Sequence, residues 1–286
     1  MQRILLVSMM ILMIIIGFAG CNQKATTESK TKVILCTTFP IYQITRNVVQ
    51  DSKNVKVQLM LASELGCPHD YSLTPQDMQK LSKASVLVVN GLGLENFLGA
   101  PVKKANASLK IIDSSAGIKD LIVYKSEHRC TSCSECSGEK PDANPHLFAS
   151  PRMVAKLAVN IAARLAAFDK ENSKNYTQNA QQYAQKMNQL ADELVTLGKQ
   201  LKNNRTVQSH GIFDYLARDM GLEVVAVTHS HGQEPFAAGM IQLTKAIKEK
   251  KAGAIFYEPQ YSDKIARTLA KETGIVAAKF DPVATG

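Results

Sequence analysis

Residues 173–201 read SKNYTQNAQQYAQKMNQLADELVTLGKQL. Within them Tyr176, Ala180, Tyr183, Met187, Leu190, Leu194, Leu197 and Leu201 step by four and three without a break. That spacing puts one apolar seam on one helix. With Ser173 as N-cap, such a helix runs about 43 Å at 1.5 Å per residue. A single seam of this length suits either a coiled-coil dimer or a stiff spine against which flanking domains pack. The sequence on either side favours the spine.

Upstream, KVILCTT (32–38), VKVQLML (55–61), SVLVVNG (85–91) and LKIID (109–113) are short apolar, β-branched runs. Helical patterns such as PIYQITRNVV (40–49) and TPQDMQKLSK (74–83) lie between them, the second with Thr74 as N-cap and proline in the first turn. Downstream, RTVQSH (205–210), LEVVAVT (222–228), GAIFYE (253–258) and IVAAKF (275–280) alternate with FDYLARDMG, MIQLTKAIKEKK and SDKIARTLAKETG. Gly221 and Gly274 sit where helices should end. This alternation predicts an α/β fold, with two α/β domains of mostly parallel sheet joined by one long rigid helix. The expected limits are 32–171 for the N-terminal domain, 172–202 for the linking helix and 203–286 for the C-terminal domain. The last is read as lacking a final helix.

The N-terminus, MQRILLVSMMILMIIIGFAGC, has one basic residue, an apolar run from Ile4 to Ile16, small residues and then Cys21. That is the layout of a secretory signal, and the run is short for a membrane span of about 20 residues. Phe18-Ala19-Gly20-Cys21 resembles a bacterial lipobox. Residues 1–20 are therefore read as a lipoprotein signal peptide, Cys21 as the lipid attachment site and 21–31 as a polar tether. The protein is expected outside the cytoplasm, lipid-anchored to the membrane at the cell surface or in the periplasm. The formal charge is +9, or +8 once Arg3 leaves with the signal. Lysines are scattered among acidic residues and form no stripe studded with aromatics, so no nucleic-acid partner is expected. The odd number of cysteines remaining after Cys21 argues against a regular disulfide framework.

In open parallel sheets, ligands bind beyond the carboxyl ends of the strands. His210, Glu258 and Asp281 close strands in the second half; His69 lies in GCPHDY and His146 in NPHLFASP, each directly after a proline. Three imidazoles and a carboxylate suit a divalent transition metal. Nothing in the spacing of these residues is a local motif, and each histidine taken alone reads more readily as a surface or helix-capping residue than as a ligand.

TTFPIYQITRNVV, PHDYSLTPQDMQKLSKASVLVVNGLGLE, NPHLFASP, NYTQNAQQYAQKMNQL, SHGIFDYLARDMGLEV and AIFYEPQYSDKIARTLAKETGI occur in that order. They resemble segments of the zinc/manganese-binding lipoproteins of bacterial ABC importers, from about residue 33 to the end. The resemblance implies two α/β domains joined by a long helix, with a metal cleft between them. It also implies His69, His146, His210 and Asp281 as ligands. Histidine at position 210, where manganese-selecting members usually have an acid, implies Zn2+, with Mn2+ as the alternative, because manganese prefers oxygen-rich shells. Glu258 is read as a carboxylate supporting the ligands or substituting for one, against a solvated strand-end glutamate. NPH and ASP stand where the family usually has DPH and LDP, and Cys67, two residues before His69, is unusual.

Between the halves lies HRCTSCSECSGEK (128–140), where zinc-binding members often carry a loop rich in histidine and acid. His128, Cys130, Cys133 and Cys136 are read as an accessory metal-capturing loop, against a polar loop that oxidises to one disulfide. The implied function is a monomeric zinc receptor that delivers its ion to an ABC-type permease. It is not expected to be an enzyme. The competing classes are a metallohydrolase with Glu258 as base and a thiol-based metal or redox sensor; the sequence leaves an adhesion role open.

Overall fold

The apolar runs of the first half become four strands: β1 (Lys32–Cys36), β2 (Val55–Leu59), β3 (Val86–Val89) and β4 (Lys110–Asp113). They pair in parallel in the order β2-β1-β3-β4. Those of the second half become β5 (Arg205–Gln208), β6 (Glu223–Val227), β7 (Ala254–Tyr257) and β8 (Val276–Lys279). These are again parallel, in the order β6-β5-β7-β8. The computed structural model describes residues 31–63, 65, 68, 71–124, 143–228 and 235–283. Residues 32–286 form one unit. Cys21, Cys67, His69, His128, Cys130, Cys133 and Cys136 lie outside the described residues.

Helices cross between the strands: α1 (Phe39–Val49), α2 (Pro75–Lys83), α3 (Gly99–Ala105), α4 (Pro151–Phe168), α5 (Ser173–Gln200), α6 (Asp214–Met220), α7 (Ala237–Glu249) and α8 (Lys264–Thr273). Local chemistry sets several ends. Thr74 and Asp77 form a reciprocal capping box on α2, with Pro75 as its first residue. Gly221 and Gly274 end α6 and α8 in the left-handed conformation. Two helices, α3 and α4, were not foreseen from the sequence. The apolar stripe of α4 is buried against α5, and its start is capped by Ser150.

The long helix is present as α5, 28 residues long, but its cap and its buried face differ from the sequence expectation. Asn172, not Ser173, occupies the cap position, and the Asn172 amide bonds the backbone of Lys53 and the Asp169 carboxylate instead. Tyr176 and Ala180 are buried as expected, whereas Leu190, Leu197 and Leu201 are exposed. Ala184, Ala191 and Gly198 are buried in their place. Small side chains let the neighbouring backbone approach closely: a Cβ on Gly198 would sit 2.0 Å from the Met220 carbonyl oxygen. The spine therefore packs along a stripe that keeps Tyr176, Ala180, Tyr183, Met187 and Leu194 of the seam, adds the small residues and leaves the other three leucines outside.

One apolar cluster runs from the first sheet through α1, α4 and α5 into Ile212, Phe213, Tyr215 and Leu216 around α6. The two α/β domains thus share a core, and the entry to the second is embedded in the first. In each sheet the chain reverses its direction of winding between the central strands, β1/β3 and β5/β7. Loops diverge at such points and leave a crevice beyond the strand ends.

Candidate metal centre

The β5/β7 crevice brings three polar side chains together. Ser209 and His210 follow β5, and Glu258 follows the adjacent β7. Glu258 is only 1% exposed, so it is no solvated strand-end residue. Its Oε1 lies 3.0 Å from His210 Nδ1 and accepts from the Ser209 hydroxyl; its Oε2 accepts from Gln260 Nε2 at 3.1 Å. A carboxylate on Nδ1 fixes the ring's orientation and leaves Nε2 as its ligating nitrogen. Tyr261 stands perpendicular to the same ring, with centroids 6.3 Å apart.

His146 arrives from the first domain, on the turn leading into α4. It is 6% exposed. Asn144 Oδ1 accepts from the His146 backbone N–H and faces its Nδ1, both at 2.9 Å. The carbonyl of Pro145 accepts from Asn90 Nδ2 at 2.9 Å, which ties the turn to the β3 end. Beneath it, the buried Glu95 accepts from Thr37 Oγ1 and from the N–H groups of Asn90 and Gly91. Burial raises the Glu95 pKa despite those three bonds. This carboxylate holds the loop after β3 where the β1/β3 crevice opens.

The two imidazoles meet across the domain boundary, their centroids 5.1 Å apart and their planes at 77°. A cavity of about 40 Å³ adjoins His146 and Glu258, lined also by Thr38, Leu61, Pro68 and Phe148 among others. Its walls come from the ends of β1, β2 and β7 as well as from the α4 turn.

A family model described as the periplasmic zinc-uptake complex component A, ZnuA, matches residues 34–286. The chain belongs to the ZnuA family. It is 28% identical over 266 residues to the high-affinity zinc uptake system protein ZnuA of Bacillus subtilis (strain 168), covering 92% of this chain and 82% of that one. It is 26% identical to the zinc-binding lipoprotein AdcA of Streptococcus pneumoniae (strain ATCC BAA-255 / R6), covering 92% of this chain but 52% of AdcA. The chain thus spans about half the length of AdcA. Its fold matches a crystal structure of ZnuA with a TM-score of 0.76 and 30% identity, over 88% of this chain and 92% of that one.

Of the residues expected at the site of this ZnuA-family chain, the fold brings His146 and His210 together and sets Glu258 behind His210. Asp281 stands exposed just past β8, an edge strand one place beyond β7. His69 lies outside the described residues, although Pro68, its neighbour in the chain, lines the cavity. Among the described residues no group of three or more His, Cys, Asp or Glu side chains is placed to hold a metal ion. The described cysteine, Cys36, is free and buried in the core, where burial pushes its thiol pKa up to about 12; it is an inert packing residue.

Sequence reasoning missed Asn144, Ser209, Gln260, Asn90 and Glu95 as supports of the ring positions. Asn144 alone had a signal, as the amide of the NPH stretch that carries His146. Ser209, Asn90 and Glu95 each have a partner about fifty residues or more away in the chain, and Gln260 matters only because its near neighbour Glu258 meets His210.

Proposed function

We propose that this ZnuA-family chain is the extracytoplasmic receptor of an ABC-type importer, binding zinc between its two domains and delivering it to a membrane permease. Zinc is cargo here, and His69, His146, His210 and Asp281 would hold it. Glu258 supports His210 from behind. The observation that carries this reading is the pair of imidazoles, one from each domain, with Nδ1 of each engaged and centroids 5.1 Å apart. Two imidazoles bound tetrahedrally to one zinc at about 2.0–2.1 Å have centroids roughly 5 Å apart. Nitrogen donors favour zinc over manganese. The buried Glu258 is already bonded to His210, Ser209 and Gln260, which weighs against its serving as the base of a hydrolase.

The supporting parts of the proposal are a signal peptide over 1–20, a lipid on Cys21, a monomeric state and an accessory capturing role for His128, Cys130, Cys133 and Cys136. The relatives' names, a zinc uptake protein and a zinc-binding lipoprotein, support the choice of zinc as cargo. The experiment is a competition titration of the chain with zinc and manganese, followed by calorimetry. One tight equivalent of zinc is expected, lost in both His146→Ala and His210→Ala and not displaced by equimolar manganese. Full zinc affinity in either histidine variant would refute the site.

A further inference from the structure

Asn144 is fully buried, and every polar group it has is engaged. Its backbone N–H donates to the Ile122 carbonyl, and its own carbonyl accepts from the Tyr215 hydroxyl, both at 2.8 Å. Its side-chain oxygen faces His146, as described above. Its side-chain nitrogen points the other way, toward the second domain. It lies 2.6 Å from the Gly211 carbonyl oxygen, 3.0 Å from Asp214 Oδ2 and 2.8 Å from the Tyr124 hydroxyl. Tyr124 donates in turn to Asp214 Oδ2, and Gln208 donates to Asp214 Oδ1. The space is tight. A Cβ on Gly211 would lie 2.1 Å from the Tyr124 hydroxyl oxygen, so a larger residue beside His210 would push that hydroxyl out of the cluster.

This arrangement leaves one orientation for the amide. The Gly211 carbonyl and the Asp214 carboxylate only accept hydrogen bonds, so the NH2 group must face them and the oxygen must face His146. An amide oxygen also only accepts, so His146 Nδ1 must carry its proton and Nε2 must hold the lone pair. The same side chain that sets the His146 tautomer therefore grips the residue next to His210. We infer that Asn144 is a positioning residue for both imidazoles, acting as a cross-domain clasp for which a carboxylate cannot substitute. An aspartate here would still accept from His146, but it would face Asp214 and the Gly211 carbonyl with no proton to offer.

The inference rests on the zinc reading for its affinity arm and is independent of it in its spectroscopic arm. In the first arm, zinc affinity is compared for the unmodified chain, Asn144→Asp, and Asn144→Asp combined with Asp214→Asn. The single variant should bind zinc about 10–100-fold more weakly, the range for loss of a ligand's supporting partner. The double exchange restores one amide facing one carboxylate but leaves the Gly211 carbonyl opposite an acceptor, so it should recover part of that loss. Affinity within twofold of the unmodified chain in Asn144→Asp, or no recovery in the double variant, would overturn the inference. In the second arm, two-bond 1H–15N spectra of the zinc-free chain report the His146 tautomer. The Nδ1–H form is expected in the unmodified chain and a mixture in Asn144→Ala. Finding the Nε2–H form in the unmodified chain would overturn the inference even if Asn144→Ala fails to fold. An unmodified chain that takes up no zinc would instead defeat the receptor reading, and the tautomer spectrum would still decide the role of Asn144.

Discussion

Replacing Glu258 with glutamine isolates the part that charge plays behind His210. The geometry tolerates the exchange. A glutamine oxygen can occupy the place of Oε1, facing His210 Nδ1 at 3.0 Å and the Ser209 hydroxyl. Its nitrogen would then replace Oε2, opposite Gln260 Nε2. Gln260 Oε1 is buried with no hydrogen-bond partner among the described residues. A rotation of the Gln260 amide would present that oxygen to the new donor, so the count of bonds is kept and only the charge is lost. Hydrogen bonds to charged groups contribute about 1.5–3 kcal/mol, against about 0.5–1.5 for neutral ones. The difference at His210 is about 1–1.5 kcal/mol, which corresponds to roughly a five- to tenfold weaker zinc affinity. Chelator competition at neutral pH would measure it, with the melting temperature of the zinc-free chain as control. Unchanged affinity in Glu258→Gln would refute the claim that this carboxylate strengthens His210 as a donor. So would a loss fully matched by destabilisation of the zinc-free fold.

Two further outcomes follow from other parts of the molecule. Burial alone would raise the Asp169 pKa, but hydrogen bonds from Asn172, Lys32 and Tyr176 outweigh it and hold the pKa below the ordinary value. A depressed carboxylate contributes stability that is complete above its unfolded value, near 3.9, and is lost as pH falls through the folded value. Asp169→Asn should therefore be less stable than the unmodified chain at pH 7, with the gap closing below about pH 4; a gap that stays constant in acid would contradict this. Deleting residues 128–140 should leave one tight zinc site, because the paired imidazoles lie outside that segment; disappearance of the tight site in calorimetry would make the cysteine loop the principal site.

Much of the fold could be read directly because it is local. Short apolar, β-branched runs marked all eight strands described here, and Thr74, Gly221 and Gly274 marked helix ends through chemistry confined to a few neighbouring residues. The long helix was legible in the same way, but its buried face was not. Leucines announce apolarity, whereas Ala184, Ala191 and Gly198 gain their place from how near another backbone comes. Asn172 was likewise unreadable as the cap residue, since its side chain is committed to Lys53, 119 residues away.

By itself the sequence determined the α/β class, the positions of the strand ends and, through resemblance, which histidines to consider. Only the tertiary structure decided which of them meet and what holds them. Ser209 reaches Glu258 across 49 residues, and Asn144 reaches Asp214 across 70. A single chain carries its periodicities openly, because they arise between near neighbours along the backbone. Contacts at such separations come into being only when the strand order has closed two crevices against each other. In that closed space, donors and acceptors must match one another, and that requirement makes a buried asparagine and a buried glutamate the supports of the two rings.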